Sequence, residues 1–245
     1  MTTRRAAWVT LLAVAALLLG TPGPVAADDA PSITISEPGN GAVLKAPEVT
    51  VRGVATMRDL NRVTGVTVTL RRSGADPLSR SDCWHHDPTV LTGGRAEFHC
   101  TFALDHNGPY SVVVRASGDE VVELNGPESR EVRSSLKMEA PPAPPRDVRV
   151  EVGPDRRVTI SWARNSEPDL RNYQVSRVPP GGGNPTLVTV VPQPPSGERV
   201  STVDGAVPPG GGRYGYIVTA VRPDGDGRVT SRATARSEPA TVEVA

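Results

Sequence analysis

The residue types best suited to chemistry crowd one short stretch. Cys83-Trp84-His85-His86-Asp87 is followed, across a Thr92-Gly93-Gly94 turn, by His99-Cys100; these are both cysteines and three of the four histidines of the chain. Two chemistries are open to such a set. Thiolates, imidazoles and a carboxylate can hold zinc in a tetrahedral site, with His86 and His99 as candidate ligands. Alternatively, Cys83 and Cys100 can close a disulfide if the chain reaches an oxidising compartment. The spacing matches no zinc-finger pattern, and neighbours along a strand point to opposite faces, so only a subset of the ligands could converge. By contrast Ala96, Phe98, Cys100, Phe102 and Leu104 share one strand face, which aims Cys100 into a core. Antiparallel pairing of residues 81–86 with 95–104 would bring Cys83 to meet it. The expectation is a Cys83–Cys100 disulfide with no metal and no cofactor, the bridge stabilising by about 3 kcal/mol for so short a loop.

Other clusters read as turns. Asp224-Gly225-Asp226-Gly227 resembles the start of a calcium loop, but it lacks the downstream bidentate Glu and sits between two strands, so a tight hairpin is expected. In Asp105-His106-Asn107-Gly108, Asn and Gly supply positive φ, and His106 is expected to face solvent. No nucleophile lies in a recognisable elbow, no Gly-rich loop leads into a helix, and no carboxylate pair has a cleft to serve; no enzyme is expected. Trp84 is the one candidate for an exposed stacking platform on a glycan, unless it packs over the disulfide.

The elements that must position these residues begin after an export signal. Arg4 and Arg5 precede an apolar run from Ala6 to Gly20, Thr21-Pro22-Gly23-Pro24 breaks it, and Val25-Ala26-Ala27 offers small residues for cleavage before Asp28. This layout reads as a secretory signal peptide over residues 1–27, too short in its apolar part for a span of roughly 20 residues. The Arg4-Arg5 pair leaves the export route open. Removing it leaves 25 basic residues against 27 acidic ones, a charge near −2 that argues against nucleic acid or an anionic membrane as partner. Lys45 and Lys137 are the only lysines; the scattered arginines, with abundant Ala, Gly, Pro and Val, suit a GC-rich coding bias of actinobacterial type.

Ala140-Pro141-Pro142-Ala143-Pro144-Pro145 divides what remains, its proline density favouring a semi-rigid polyproline II spacer. The expected division is 28–138, a linker over 139–146, and 147–245. Both flanks alternate apolar and polar residues between Gly, Pro, Asn and Asp turns, the pattern of short strands. Strands are expected near 32–36, 48–55, 66–71, 95–104, 110–116 and 129–136, and near 147–152, 157–162, 172–178, 186–191, 199–203, 213–221 and 228–235, with a last strand at the C-terminus. Val158, Ile160 and Trp162 share one face, as do Tyr214, Tyr216, Val218 and Ala220, so these form the expected core with Tyr173 and Tyr110.

With its proline-rich entry, Trp162 ending the second strand, Tyr173-x-Val175 on the third and Tyr214-x-Tyr216-x-Val218-x-Ala220 on the sixth, the segment 141–245 resembles fibronectin type III domains. Tyr214 is the expected tyrosine-corner residue. The first segment opens with Ile33-x-Ile35-Ser36-Glu37-Pro38-x-x-Gly41 and carries Tyr110-x-Val112-x-Val114-x-Ala116, and it looks like a bacterial immunoglobulin-like domain. The resemblance implies an all-β protein of two tandem immunoglobulin-like and fibronectin type III-like β-sandwiches after a cleaved signal peptide. With the signal peptide and the lack of a catalytic set, the expectation is a secreted, extracellular, non-catalytic binding or structural protein, whose partner is an unidentified extracellular protein or glycan. Two alternatives are an accessory to extracellular polysaccharide degradation and a metal-binding sensor or enzyme using the Cys83/His99 cluster.

Overall fold

In Glu48–Thr56, the side chains of Val49, Val51 and Ala55 are buried while Arg52 between them is exposed, and the same two-residue rhythm runs through most of the longer strands. The computed structural model describes residues 32–58, 61–87, 94–120, 128–228 and 234–245; the expected signal peptide and most of the Thr92-Gly93-Gly94 turn lie outside them. No described residue is helical. The chain is all-β, in two tandem β-sandwiches.

The first is built from β1 (Ser32–Glu37), β2 (Ala42–Leu44), β3 (Glu48–Thr56), β4 (Asn61–Arg71), β5 (Leu78–Arg80), β6 (Trp84–His86), β7 (Arg95–Ala103), β8 (Gly108–Glu120) and β9 (Glu128–Met138). One sheet has the order β1-β3-β7-β6 and the other β2-β9-β8-β4-β5. Val51, Phe98 and Cys100 from the first sheet join one core cluster with Val66, Val68, Leu70, Val112 and Val114 from the second. Gly53 lets the strands close around Phe98: a Cβ there would stand 2.0 Å from the Thr34 carbonyl oxygen and 2.4 Å from Phe98 Cζ. The strands expected near 66–71 and 110–116 are longer than their alternation suggests, because β4 and β8 continue past a bulge between Val63 and Gly65. Strands β2 and β5 were not expected; each is three residues, too short to show a period.

The second sandwich comprises β10 (Arg149–Val152), β11 (Val158–Ala163), β12 (Asn172–Val178), β13 (Thr186–Pro192), β14 (Arg199–Asp204), β15 (Gly212–Val221), β16 (Thr234–Arg236) and β17 (Ala240–Val244). Its sheets run β10-β11-β14 and β13-β12-β15, with β16 and β17 both laid along β15. Trp162 and Tyr173 meet edge to face in the core, ring centroids 5.1 Å apart, beside Ile160, Val175, Tyr216 and Val218. Of the strand expected over 228–235, only 228 and 234–235 are described, and 234–235 lie in β16.

Candidate functional site

The cysteine and histidine cluster sits where β6 pairs with β7, Trp84 opposite Phe98 and His85 opposite Glu97. Cys83 and Cys100 form a disulfide across a Cα–Cα distance of 5.2 Å, and the Cys83 carbonyl accepts the His99 N–H at 2.7 Å. The sheet then divides the histidines. His86 pairs with Ala96, whose side chain is buried, whereas His99 pairs with exposed Arg52 on the outer face. The candidate ligands His86 and His99 therefore point to opposite sides of the sheet, and both thiols are consumed in the bridge. The metal reading of the Cys83/His99 cluster is corrected on these grounds; among the described residues no three His, Cys, Asp or Glu side chains gather to hold an ion. Trp84 is half-buried against the core, its ring edge to face with His86 at 5.2 Å, so it is no flat exposed platform.

On the outer face of this sheet lies a shallow depression of about 480 Å³, bordered by Ser36, Arg52, His85, Glu97 and His99 over a floor of Gly53 and Phe98. Arg52 Nε donates to His99 Nε2 at 3.3 Å, which leaves the ring hydrogen on Nδ1, and Arg52 Nη1 lies 3.5 Å from Glu37 Oε2. His85 Nε2 is 3.8 Å from Glu97 Oε2. The depression thus offers a guanidinium, two imidazoles and a carboxylate to a polar ligand.

A more constrained site was not legible beforehand: the joint between the sandwiches. Asn107 in the turn before β8 uses its whole amide. Its Nδ2 donates to the carbonyls of Ala140 (2.9 Å) and Pro223 (2.8 Å), its Oδ1 accepts the Ala140 N–H (2.9 Å), and its own N–H donates to Asp169 Oδ2 (2.7 Å). Arg222, only 2% exposed, extends Nη2 to Asp169 Oδ2 (2.9 Å) and to the Asp105 carbonyl (3.1 Å). Asp169 Oδ1, 2.8 Å from the same nitrogen, is held by charge rather than by a directed hydrogen bond. A buried guanidinium facing a buried carboxylate is costly unless partners compensate its lost hydration; here Nη2 is satisfied while the buried Nε makes no hydrogen bond. Beside this pair, Lys137 Nζ reaches Asp226 Oδ1 (3.1 Å), and Gly225 packs on the Lys137 stem so closely that a Cβ would meet Cγ and Cδ at 2.6 Å.

The linker is drawn into this joint rather than standing free as a spacer. Its prolines have no N–H to satisfy, and its two alanine N–H groups are taken, Ala140 by Asn107 of the first sandwich and Ala143 by Glu167 Oε1 of the second. Asn165 Nδ2 adds a bond to the Ala143 carbonyl at 2.8 Å. Asp224-Gly225-Asp226-Gly227 is a turn: the Asp224 carboxylate accepts the N–H groups of Asp226 and Arg228, both at 2.9 Å. His106 is half-buried rather than exposed, and its Nδ1 lies 2.6 Å from Asp105 Oδ1.

The tyrosines also redistribute their expected roles. Tyr110 OH donates to the carbonyl of His106 four residues upstream at 2.9 Å, the bond expected of a tyrosine corner, whereas the buried Tyr214 ring lies under the Arg177 guanidinium, 5.9 Å from its centroid. Tyr216 OH donates to Asp204 Oδ2 at 2.9 Å, and Arg177 Nη1 donates to the same oxygen at 2.7 Å.

Shifted acidities in the described residues all have structural causes. Burial raises the phenols of Tyr110, Tyr173 and Tyr216, the last raised further by Asp204. Glu139 is lowered to about 2 by hydrogen bonds from Lys45 and then Lys137, so both lysines of the chain converge on one carboxylate. Arg80 lowers Asp82, Arg115 lowers Glu131, and the Arg228 N–H lowers Asp224. At Asp105 burial pulls upward, but the bond with His106 and the charges around it bring the net shift down.

No family model and no curated protein matches the sequence. Among solved structures, a segment of two fibronectin type III domains from chicken tenascin is 16% identical with a TM-score of 0.42, over 89% of this chain and 99% of that one. The FN1-FN3 domains of chicken CNTN1 are 16% identical with a TM-score of 0.34; the match covers 88% of this chain and spans 66% of theirs. A cytokine receptor complex is 14% identical with a TM-score of 0.36, over 86% and 95%. At these values the likenesses carry no functional information.

Proposed function

We propose that this chain is a secreted, non-catalytic binding or structural protein in which two β-sandwiches, the first immunoglobulin-like and the second of fibronectin type III type, are held as one rigid display unit. The observation that carries this reading is the joint, where Asn107, Arg222 and Asp169 fasten both sandwiches and the linker together. A protein that must hold two surfaces at a constant separation needs such a fastening, since interfaces between domains of one chain otherwise permit relative motion. The Cys83–Cys100 bridge supports an oxidising destination. Acidities displaced toward a catalytic task gather in one cleft in many enzymes; here each serves a turn, a core hydroxyl or an ion pair.

The experiment is intact mass of the chain recovered from culture medium, with and without reduction, followed by an assay of the same sample against hydrolase and transferase substrates. A mass beginning at Asp28 and two hydrogens light, with no turnover, is the expected result. Retention inside the cell with free thiols would sink the extracellular reading, and robust turnover would sink the non-catalytic one.

A second reading, a glycan-binding accessory to polysaccharide breakdown, is favoured by the depression lined by Arg52, His85, Glu97 and His99, whose donors and acceptor suit hydroxyl and acidic groups. Sedimentation with chitin, cellulose or cell-wall glycan, lost in Arg52→Ala, is its expected signature; failure to sediment with any of them removes it.

A further inference from the structure

The sheet edges of this molecule are unequal. An exposed edge strand presents unpaired N–H and C=O groups to any passing strand, and proteins commonly guard such edges with charge or keep them very short. Among the described strands, edge β1 carries Glu37, β10 carries Arg149 and Glu151, β14 carries Arg199, and β17 carries Glu243. The edges β2, β5, β6 and β16 are three residues each. Strand β13 has neither charge nor shortness, and its guards are limited to a bulge at Val188 and Pro192 at its end. It is seven residues long, Thr-Leu-Val-Thr-Val-Val-Pro, pairs only with β12 among the described strands, and lies in a stretch, 178–197, without one charged residue in a chain that is 22% charged.

Its exposed face is apolar as well. Leu187 and Val190 stand opposite Ser176 and Gln174 of β12, on the side away from buried Tyr173 and Val175, and they remain 55% and 47% exposed. A bulge at Val188 is what puts them on one face although they are three residues apart.

We infer that β13 pairs antiparallel with β13 of a second copy of this chain, joining the two second sandwiches through one continuous sheet. Self-pairing lays the strand beside the same strand of the other copy, so an edge carrying one sign of charge would meet its like; the neutral stretch removes that repulsion and makes a second copy the fitting occupant. With the two-fold axis between Val188 and Thr189, Leu187 of each copy lies opposite Val190 of the other and Thr186 opposite Val191. That register covers the exposed apolar pair twice, and it closes, because each copy spends the one long edge that is neutral among the described strands. A single edge strand lies at the small end of stable interfaces, so a weak association is expected.

The test is sedimentation equilibrium of the full secreted chain from low-micromolar to several-hundred-micromolar concentration. Wild type is expected to fit a monomer–dimer equilibrium, and the double variant Leu187→Lys, Val190→Lys to remain a monomer with an unchanged melting temperature. Val203→Lys, an exposed apolar residue on the other sheet, is expected to leave the dimer intact. Leu187→Cys with Val190→Cys is expected to trap a covalent dimer on mild oxidation, which keeps the register testable if the lysine variants fold poorly. A wild-type chain that stays monomeric throughout, a dimer untouched by the lysine pair, open-ended oligomers, or a monomer that captures a foreign extended peptide instead would each overturn the inference. None of these outcomes bears on secretion or on the absence of catalysis.

Discussion

The two sandwiches secure similar cores by different means. The first uses a covalent tie: β6 is three residues at a sheet edge, and Cys83 beside it is bonded to buried Cys100 amid Phe98 and Phe102. The second has no cysteine and relies on buried hydroxyls with directed partners. Tyr173 OH donates to Gln193 Oε1 at 2.6 Å and accepts the Asn165 N–H at 2.8 Å, while Gln193 Nε2 returns to the carbonyls of Asn165 and Glu167, both at 3.1 Å. Around Tyr216, Asp204 accepts from Tyr216, Arg177 and the Ala206 N–H. A disulfide acts mainly by narrowing the unfolded ensemble, whereas a satisfied polar network acts in the folded state and penalises any packing that leaves one of its members unpaired. The first device tolerates an imprecise edge; the second demands a unique core.

That contrast can be broken from either side. The largest effect is expected from Trp162→Ala, which removes the fully buried ring packed on Tyr173 and should cost the second sandwich about 3–5 kcal/mol. In a chain beginning at Asp28 the only remaining indole is then Trp84, so denaturation followed by fluorescence should show the first sandwich alone, and an unchanged far-ultraviolet transition would contradict the assignment. Replacing both Cys83 and Cys100 with Ser should cost the first sandwich about 3 kcal/mol and leave the second near wild type; differential scanning calorimetry separates the two.

A smaller loss, on the order of 1 kcal/mol, is expected for Tyr216→Phe, since Asp204 retains Arg177 and the Ala206 N–H after the phenol is removed. Urea titration checks it, and a loss as large as that of Trp162→Ala would show that the network stands or falls as one. The mildest change is set by pH at the joint. Glu139 titrates near 4.5 when unfolded and about 2 when folded, so its contribution is complete above roughly pH 4.5 and fades as the pH falls toward 2. Melting temperature recorded from pH 5 to 2 should fall less steeply in Glu139→Gln than in wild type; parallel curves would show that Glu139 plays no part.

Legibility followed the length and regularity of each signal. Trp162, Tyr173 and Val175 announce themselves because period-two alternation over six or seven residues has few other readings. Cys100 was readable for the same reason, its neighbours Phe98 and Phe102 sharing its face. The outer-face depression was half-readable: His99 stood out, but Arg52, forty-seven residues earlier, became its partner only through the pairing of β3 with β7. The choice of Tyr110 over Tyr214 for the corner bond turned on where a carbonyl four residues back happens to point, and both tyrosines open the same motif.

The amino-acid sequence by itself determined the longer strands, the inward faces and the cysteine pair, because each is written in neighbouring residues and in the geometry of an extended chain. Only the tertiary structure decided that Asn107, Asp169 and Arg222 form one joint, that both lysines serve Glu139, and that the two candidate histidines face apart. These partners are separated by up to 115 residues in the chain, as Arg222 is from Asn107. The polar residues that meet there carry no periodicity of their own, and their roles come from the partners that folding brings within a hydrogen bond of them.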